Sequence, residues 1–288
     1  MNKARNDDDP LIDAHVHVAL PGLPGLHAFP PVLDEAVATV AAAVRAEMAA
    51  SGTVQALAMG VLFADPADPL GVAATLRIAD RAPGLRAIGV ADPRRSDPEH
   101  LERVERQLES GRVQGLKAYL GYLHHGPASP GYAPYYRLAA RYQIPVIFHS
   151  GDTYAASAKL KYAHPLLIDE VAVDYPETNF VIAHGGCPWF GDAAEVISKN
   201  ANVWADLSGI FVGDAAAFAV LAARGRLHRT VERLREGLEY TERPDRFRYG
   251  SDWPLAPMAA YRAFLAPLLD DPAWRAVRAD NARALFRL

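Results

Sequence analysis

Five residues carry the chemistry this sequence offers: His15, His17, His149, His184 and Asp252. Each closes a short apolar run, in the order LIDAHVHV, IPVIFHSG, NFVIAHGG and RFRYGSDW. Imidazoles and a carboxylate are the donors that metal-assisted chemistry needs. Side chains alternate along a strand, so His15 and His17 face the same way. At a rise of roughly 3.3 Å per residue their Cα atoms lie about 7 Å apart, close enough for both rings to reach one ion. The other three strand ends then have to converge on that point.

Convergence is a demand on the fold. Strand-like and helix-like segments alternate along the whole chain. The apolar runs predict strands over residues 11–18, 54–62, 85–91, 113–120, 144–149, 179–184, 202–207 and 246–252. Helical patterns fill 33–50, 69–81, 98–110, 135–142, 165–175, 192–200 and a long stretch from 215 to 237, with two more over 257–269 and 274–286. Eight strand–helix units make an α/β chain of (β/α)₈ TIM-barrel type. An open doubly wound sheet is the rival, but it usually has a glycine-rich phosphate turn after its first strand. Here that turn holds His15, His17 and the proline-glycine loop 21–25. A barrel also gathers the ends of strands 1, 5, 6 and 8 at one mouth, whereas an open sheet spreads them.

With 288 residues, half of them hydrophobic and 22% charged, the chain can bury a large core. No repeat, linker or charge run divides it, so residues 11–288 are expected to form a single domain. Residues 1–10, MNKARNDDDP, are expected to be a disordered polar tail, not a secretory signal. A net charge of −4 gives no electrostatic case for nucleic acid or an anionic membrane. The apolar stretch 210–223 is broken by Gly213 and Asp214 and is too short to span a bilayer. The lone cysteine, Cys187, excludes an internal disulfide, has no neighbouring base in sequence and reads as packing. The expected compartment is the cytoplasm.

Taken in order, IDAHVHV, GLKAYLGY, PVIFHSGDT, FVIAHGG, ADLSG, GSDWP and the closing NARALF resemble the amidohydrolase superfamily. The likeness is to its amidohydrolase-related branch of metal-dependent TIM-barrel hydrolases and decarboxylases, and it covers nearly the whole chain. It implies that His15, His17 and His149 ligate a divalent ion with Asp252. One zinc is the first choice, with manganese or iron as alternatives. Asp252 would also carry the proton of an activated water, whose pKa a bound ion can lower to about 7. His184 would be the acid/base or carbonyl-polarising group. Lys117 falls where some members of the superfamily carry a carboxylated lysine bridging two metals; a second metal follows only if it is modified. Its plainer reading is a cation held by a carboxylate or gripping a substrate carboxylate.

Around the rim, the loop GYLHHGPASPGYAPYY and its approach carry Tyr119, Tyr122, His124 and His125 as candidates for substrate recognition, against packing or solvation. Asp152 and Thr153 are candidates to hydrogen-bond a ligand histidine, a substrate or a helix start. Asp206 is a candidate to orient a ligand histidine. Trp189 and Trp253 are candidate pocket walls, and Arg94 and Arg95 candidates to steer an anion, each against simple packing or solvation. The implied activity is metal-dependent hydrolysis of a small-molecule amide, lactone or ester. A non-oxidative decarboxylase of a small carboxylic acid and a non-catalytic ligand-binding barrel are the alternatives. The expected partner is a small-molecule substrate; a homodimer is compatible with the sequence but demanded by no stretch of it.

Overall fold

A computed structural model describes residues 10–26, 29–62 and 65–288. All of the expected tail except Pro10 lies outside these described residues. Eight parallel strands follow one another in chain order: β1 Leu11–Val16, β2 Thr53–Met59, β3 Leu85–Val90, β4 Val113–Ala118, β5 Val146–Phe148, β6 Phe180–Ile182, β7 Val203–Asp206 and β8 Phe247–Arg248. The two ends of the sheet meet where Val16 bridges Trp253 in parallel. The amides of Ala14, His17 and Asp252 donate across that seam to Tyr249, Trp253 and His15 carbonyls at 2.9, 2.6 and 2.8 Å. The fold is a single-domain TIM barrel.

The surrounding helices are α1 Val37–Ser51, α2 Ala73–Ala79, α3 Pro98–Glu109, α4 Ala133–Tyr142, α5 Leu160–Ala163, α6 Ile168–Asp174, α7 Phe190–Lys199, α8 Ala215–Ala223, α9 Arg226–Thr241, α10 Met258–Leu265, α11 Asp271–Arg275 and α12 Asn281–Phe286. Their buried stripes pack on outward strand residues such as Leu116, Phe148 and Phe180. Inward residues, among them Ile12, Leu57, Ile88, Ile147 and Val181, form a separate cluster with Leu285 and Phe286 of α12. Asn281 Nδ2 donates to the carbonyls of Pro244 and Phe247 at the start of β8. The last helix therefore closes the barrel end opposite the strand C-termini. No described helix is long and apolar enough to cross a membrane.

The strands are shorter than their apolar runs. The run 246–252 yields only Phe247–Arg248 in strand, because beyond it the ladder is lost: Tyr249 N donates to Val277 O and Asp252 N to His15 O. The helix expected over 215–237 is two helices, broken at Gly225, which sits at φ 64° in the left-handed region that favours glycine. The segment 274–286 includes a π-helical stretch, Ala276–Asp280, whose Val277 carbonyl serves β8.

Candidate metal centre and its cavity

His15 and His17 turn to the same side, but not by plain alternation. The β1 ladder slips between Asp13 and Val16, and Ala14 packs inside the barrel while its neighbour His15 faces the mouth. A bulge allows two successive residues to do this. Asp13 is fully buried at the irregularity, its Oδ1 accepting the His15 and Ser251 amides at 3.2 and 3.0 Å. Burial pushes its carboxyl up to about 7.

Two site residues lie in the left-handed region, where a side chain costs energy: His184 at φ 59° and Asp252 at φ 64°. Each turn folds its side chain back over the strand ends. Gly209 makes room for both. A Cβ there would lie 2.7 Å from Asp252 Oδ2 and 2.7 Å from His184 Nδ1.

His15, His17 and Asp252 each bring a ligand atom within 4.8 Å of the others, all three buried. Asp252 Oδ1 lies 3.4 Å from His17 Nε2 and 3.7 Å from His15 Nε2, and has no hydrogen bond although buried. Burial would raise the Asp252 carboxyl, yet the close approach of His17 and the charges of His184 and His15 hold it well below the usual range.

Hydrogen bonds on the outer side of each ring decide which nitrogen is bare. His15 Nδ1 lies 3.0 Å from Asp206 Oδ2, so it carries the proton and Nε2 is free. His149 Nε2 lies 2.9 Å from the Asp152 carbonyl, which only accepts, so Nδ1 is free. His184 Nδ1 faces the Ser208 carbonyl at 3.2 Å and Ser208 Oγ at 3.0 Å. That hydroxyl donates to Asp206 Oδ1, so His184 Nδ1 is the donor and Nε2 is free. The free nitrogens of His149 and His184 then face each other at 3.2 Å. Two lone pairs so close repel unless a proton or a cation lies between them, and burial lowers both pKa values, aided by the neighbouring positive charges at His149 and opposed by Asp252 at His184. A cation fits this donor set.

Asp206 is the hub on the outer side. Besides His15 it accepts the amides of His184 and Ser208 at 3.1 and 3.2 Å. Burial opposes its ionisation, but His15 and the neighbouring charges hold its carboxyl well below the usual range. A second cluster of ligand-type atoms, His15, His184 and Asp206, is thus already saturated by ring and backbone N–H donors. It braces the rings from the outer side. Lys117, fully buried on β4, places Nζ 3.4 Å from His15 Nε2. Burial lowers its pKa to about 8, while Asp206 and Asp252 favour its charge.

These groups form the floor of a cavity of about 700 Å³. Tyr119 and Tyr122 line it, with hydroxyls engaged: Tyr119 donates to Gly60 O at 2.6 Å, and Tyr122 accepts from Tyr154 N at 2.8 Å while its ring meets His149 edge-on. Trp189 also lines it; Trp253 does not, being packed outward against Val16 and Met258. The exposed His124 is not part of the lining and bonds Ser157 O, and His125 bonds Leu123 O, so these two tie the loop down. Asp152 serves His149 through its carbonyl, its carboxylate accepting from Thr153 N. Arg94 is clamped on Asp92 by two 2.8 Å bonds, and neither it nor Arg95 reaches the cavity. Cys187 is on the wall with its thiol pushed up by burial to about 11, which suits packing.

Sequence reasoning missed Ser208, Gly209 and three arginines of α9. Ser208 was legible two residues from Asp206 on the same strand face; the arginine spacing in RLHRTVERLREG was there to see but reads as a solvated helix face.

A buried histidine–carboxylate cluster thus sits at the C-terminal mouth of a TIM barrel, and comparison with known proteins gives the family. The amidohydrolase family model (Amidohydro_2) matches residues 12–288. The chain belongs to the amidohydrolase family. No curated protein matches it. Among solved structures, an amidohydrolase from Burkholderia multivorans with bound zinc is 16% identical at TM-score 0.65, covering 97% of this chain and 100% of that one. A 2,6-dihydroxybenzoate decarboxylase from Rhizobium is 13% identical at 0.64, covering 96% and 98%. A probable 2-pyrone-4,6-dicarboxylic acid hydrolase from Acinetobacter baumannii, with citric acid bound, is 13% identical at 0.63, covering 97% and 99%. At these identities the likeness speaks for the fold alone.

Proposed function

We propose that the chain is a hydrolase of a small-molecule amide, lactone or ester that works with one divalent cation, zinc first. His15, His17, His149 and Asp252 would hold the ion. When bound, such an ion acidifies water and polarises a carbonyl. The observation that carries the reading is Asp252: a buried carboxyl group, with one oxygen free of hydrogen bonds, beside both β1 histidines. It would take a proton and return it to a leaving group. His184, set by Ser208 and Asp206, turns its free nitrogen toward His149 and is the second proton-handling group. Lys117 would stay an unmodified lysine, its charge opposed by burial and favoured by Asp206 and Asp252.

Decarboxylation of a small carboxylic acid is the second reading. Buried Lys117 and the tyrosine walls favour it, offering a positive group and aromatic faces to an acid. The test is turnover of zinc-loaded protein on lactone, ester, amide and hydroxybenzoate panels in ¹⁸O-water. One ¹⁸O in the product is expected; carbon dioxide release without ¹⁸O uptake overturns hydrolysis in favour of decarboxylation. A barrel that only binds its ligand would turn over nothing in any panel.

A further inference from the structure

The mouth of the cavity is electrostatically one-sided. Arg226, Arg229 and Arg233, all on α9, line it beside Thr230. At about 100° per residue these positions share one side of the helix. All three are exposed, and none of their guanidinium groups has an ion pair or hydrogen bond among the described residues. Of the acidic residues nearby, Glu232 pairs with His228 at 3.1 Å, Asp192 faces His164 at 3.8 Å and Glu195 accepts from Tyr240 at 2.6 Å, while Glu236 lines an adjacent pocket with Arg233 without an ion pair to it. Arg226 and Arg233 are near enough to Cys187 for their charge to bear on its thiol. Of the carboxylates that line the cavity, Asp252 is in the floor and Asp152 is the only one near the rim. The lining also carries apolar side chains, among them Phe211, Val212, Leu221 and Trp189. In a chain of net charge −4, three unpaired guanidiniums at one opening are a local feature.

We propose that the substrate carries an anionic group, carboxylate or phosphate, at the end remote from the reacting bond, and that the arginine face of α9 binds it. This rests on the metal-dependent reading above. A guanidinium fork matches either anion by paired N–H donors. A cavity of about 700 Å³, partly apolar in its lining, has room for a molecule that reaches from the histidines to the arginines. The arrangement selects by length as well as by charge.

The test is calorimetric binding to the zinc-loaded protein. The probes are monohydroxamates of straight-chain dicarboxylic acids from four to ten carbons, their methyl esters, and phosphonate-ended counterparts. The hydroxamate anchors each probe at the metal, and the far end samples the rim. At one or more lengths the acid is expected to bind about tenfold tighter than its ester, the strength of an ordinary charged contact. The margin should shrink with added salt and vanish in the triple variant Arg226→Gln/Arg229→Gln/Arg233→Gln. Preference between carboxylate and phosphonate then tells which anion is native. Equal binding of acid and ester at every length overturns the proposal, as does a preference that survives in the triple variant. If no hydroxamate of any kind binds, the metal centre itself is refuted and the proposal falls with it, a result distinct from the other two.

Discussion

At the scale of single residues, the outer hydrogen bonds do as much as the ligands. Asp206 fixes the His15 tautomer and, with Ser208, that of His184. Replacing it with Asn removes the anion that holds His15 Nδ1–H. Zinc affinity should fall about 10–100-fold, as is usual when a partner of a ligand histidine is lost. Competition with a chromophoric chelator would read this, and unchanged affinity would count against the assignment. His184→Gln separates proton handling from ion binding. It should cut kcat by a factor of about 100 or more with metal content preserved in elemental analysis. If metal is lost along with activity, His184 is a ligand instead.

Elements position these residues at a local energetic cost. The β7 loop brings Gly209, at φ 57°, against Asp252 and His184. Gly209→Ala meets both a disfavoured backbone and two site side chains, and should lower stability by about 1–3 kcal/mol along with zinc affinity. A contrasting case lies outside the cavity lining. Asp68 accepts the Val72 and Ala73 amides at the start of α2 and Gln107 Nε2 from α3. Asp68→Ala strands these donors and should destabilise the protein by about 2 kcal/mol in urea titrations, with zinc affinity untouched. Were Asp68→Ala to weaken zinc binding as strongly as Gly209→Ala, the site would be coupled to global stability and not built locally.

For the whole molecule, burial of a titratable cluster in the barrel mouth ties folding to pH. In metal-free protein His15 titrates near 4, lowered by burial. The unfolded chain binds that proton more readily, so His15 makes stability rise with pH between about 4 and 6.5. Asp13 acts with the opposite sign: raised to about 7, it binds its proton in the folded state and erodes stability as pH climbs from 3.8 to 7. The two offset. Asp13→Asn keeps an acceptor for the His15 and Ser251 amides but removes the counterweight. Its stability should rise more steeply over that window, by up to about 1.4 kcal/mol per pH unit. Denaturation curves at four or five pH values in chelator would show it, and parallel slopes for the two proteins would refute the offset. Zinc at a thousand times its Kd should add about 4 kcal/mol to either.

Sequence alone determined the architecture and the reactive groups. Alternating apolar runs and helical patterns imply eight units, and histidines at run ends imply a shared mouth, because strand periodicity and barrel closure are local rules repeated. The deeper features were not legible. The slip of β1 that frees Ala14 from the mouth, the left-handed turns at His184 and Asp252, and the halving of the helix over 215–237 depend on contacts between segments far apart in the chain. So does the separation of Trp189 from Trp253, alike in sequence position but divided between cavity wall and core. The arginines of α9 look like any charged helix face until the break at Gly225 sets them over the opening. Which donor meets which acceptor, and which charge is left without one, is decided only when all eight strand ends share the same small volume.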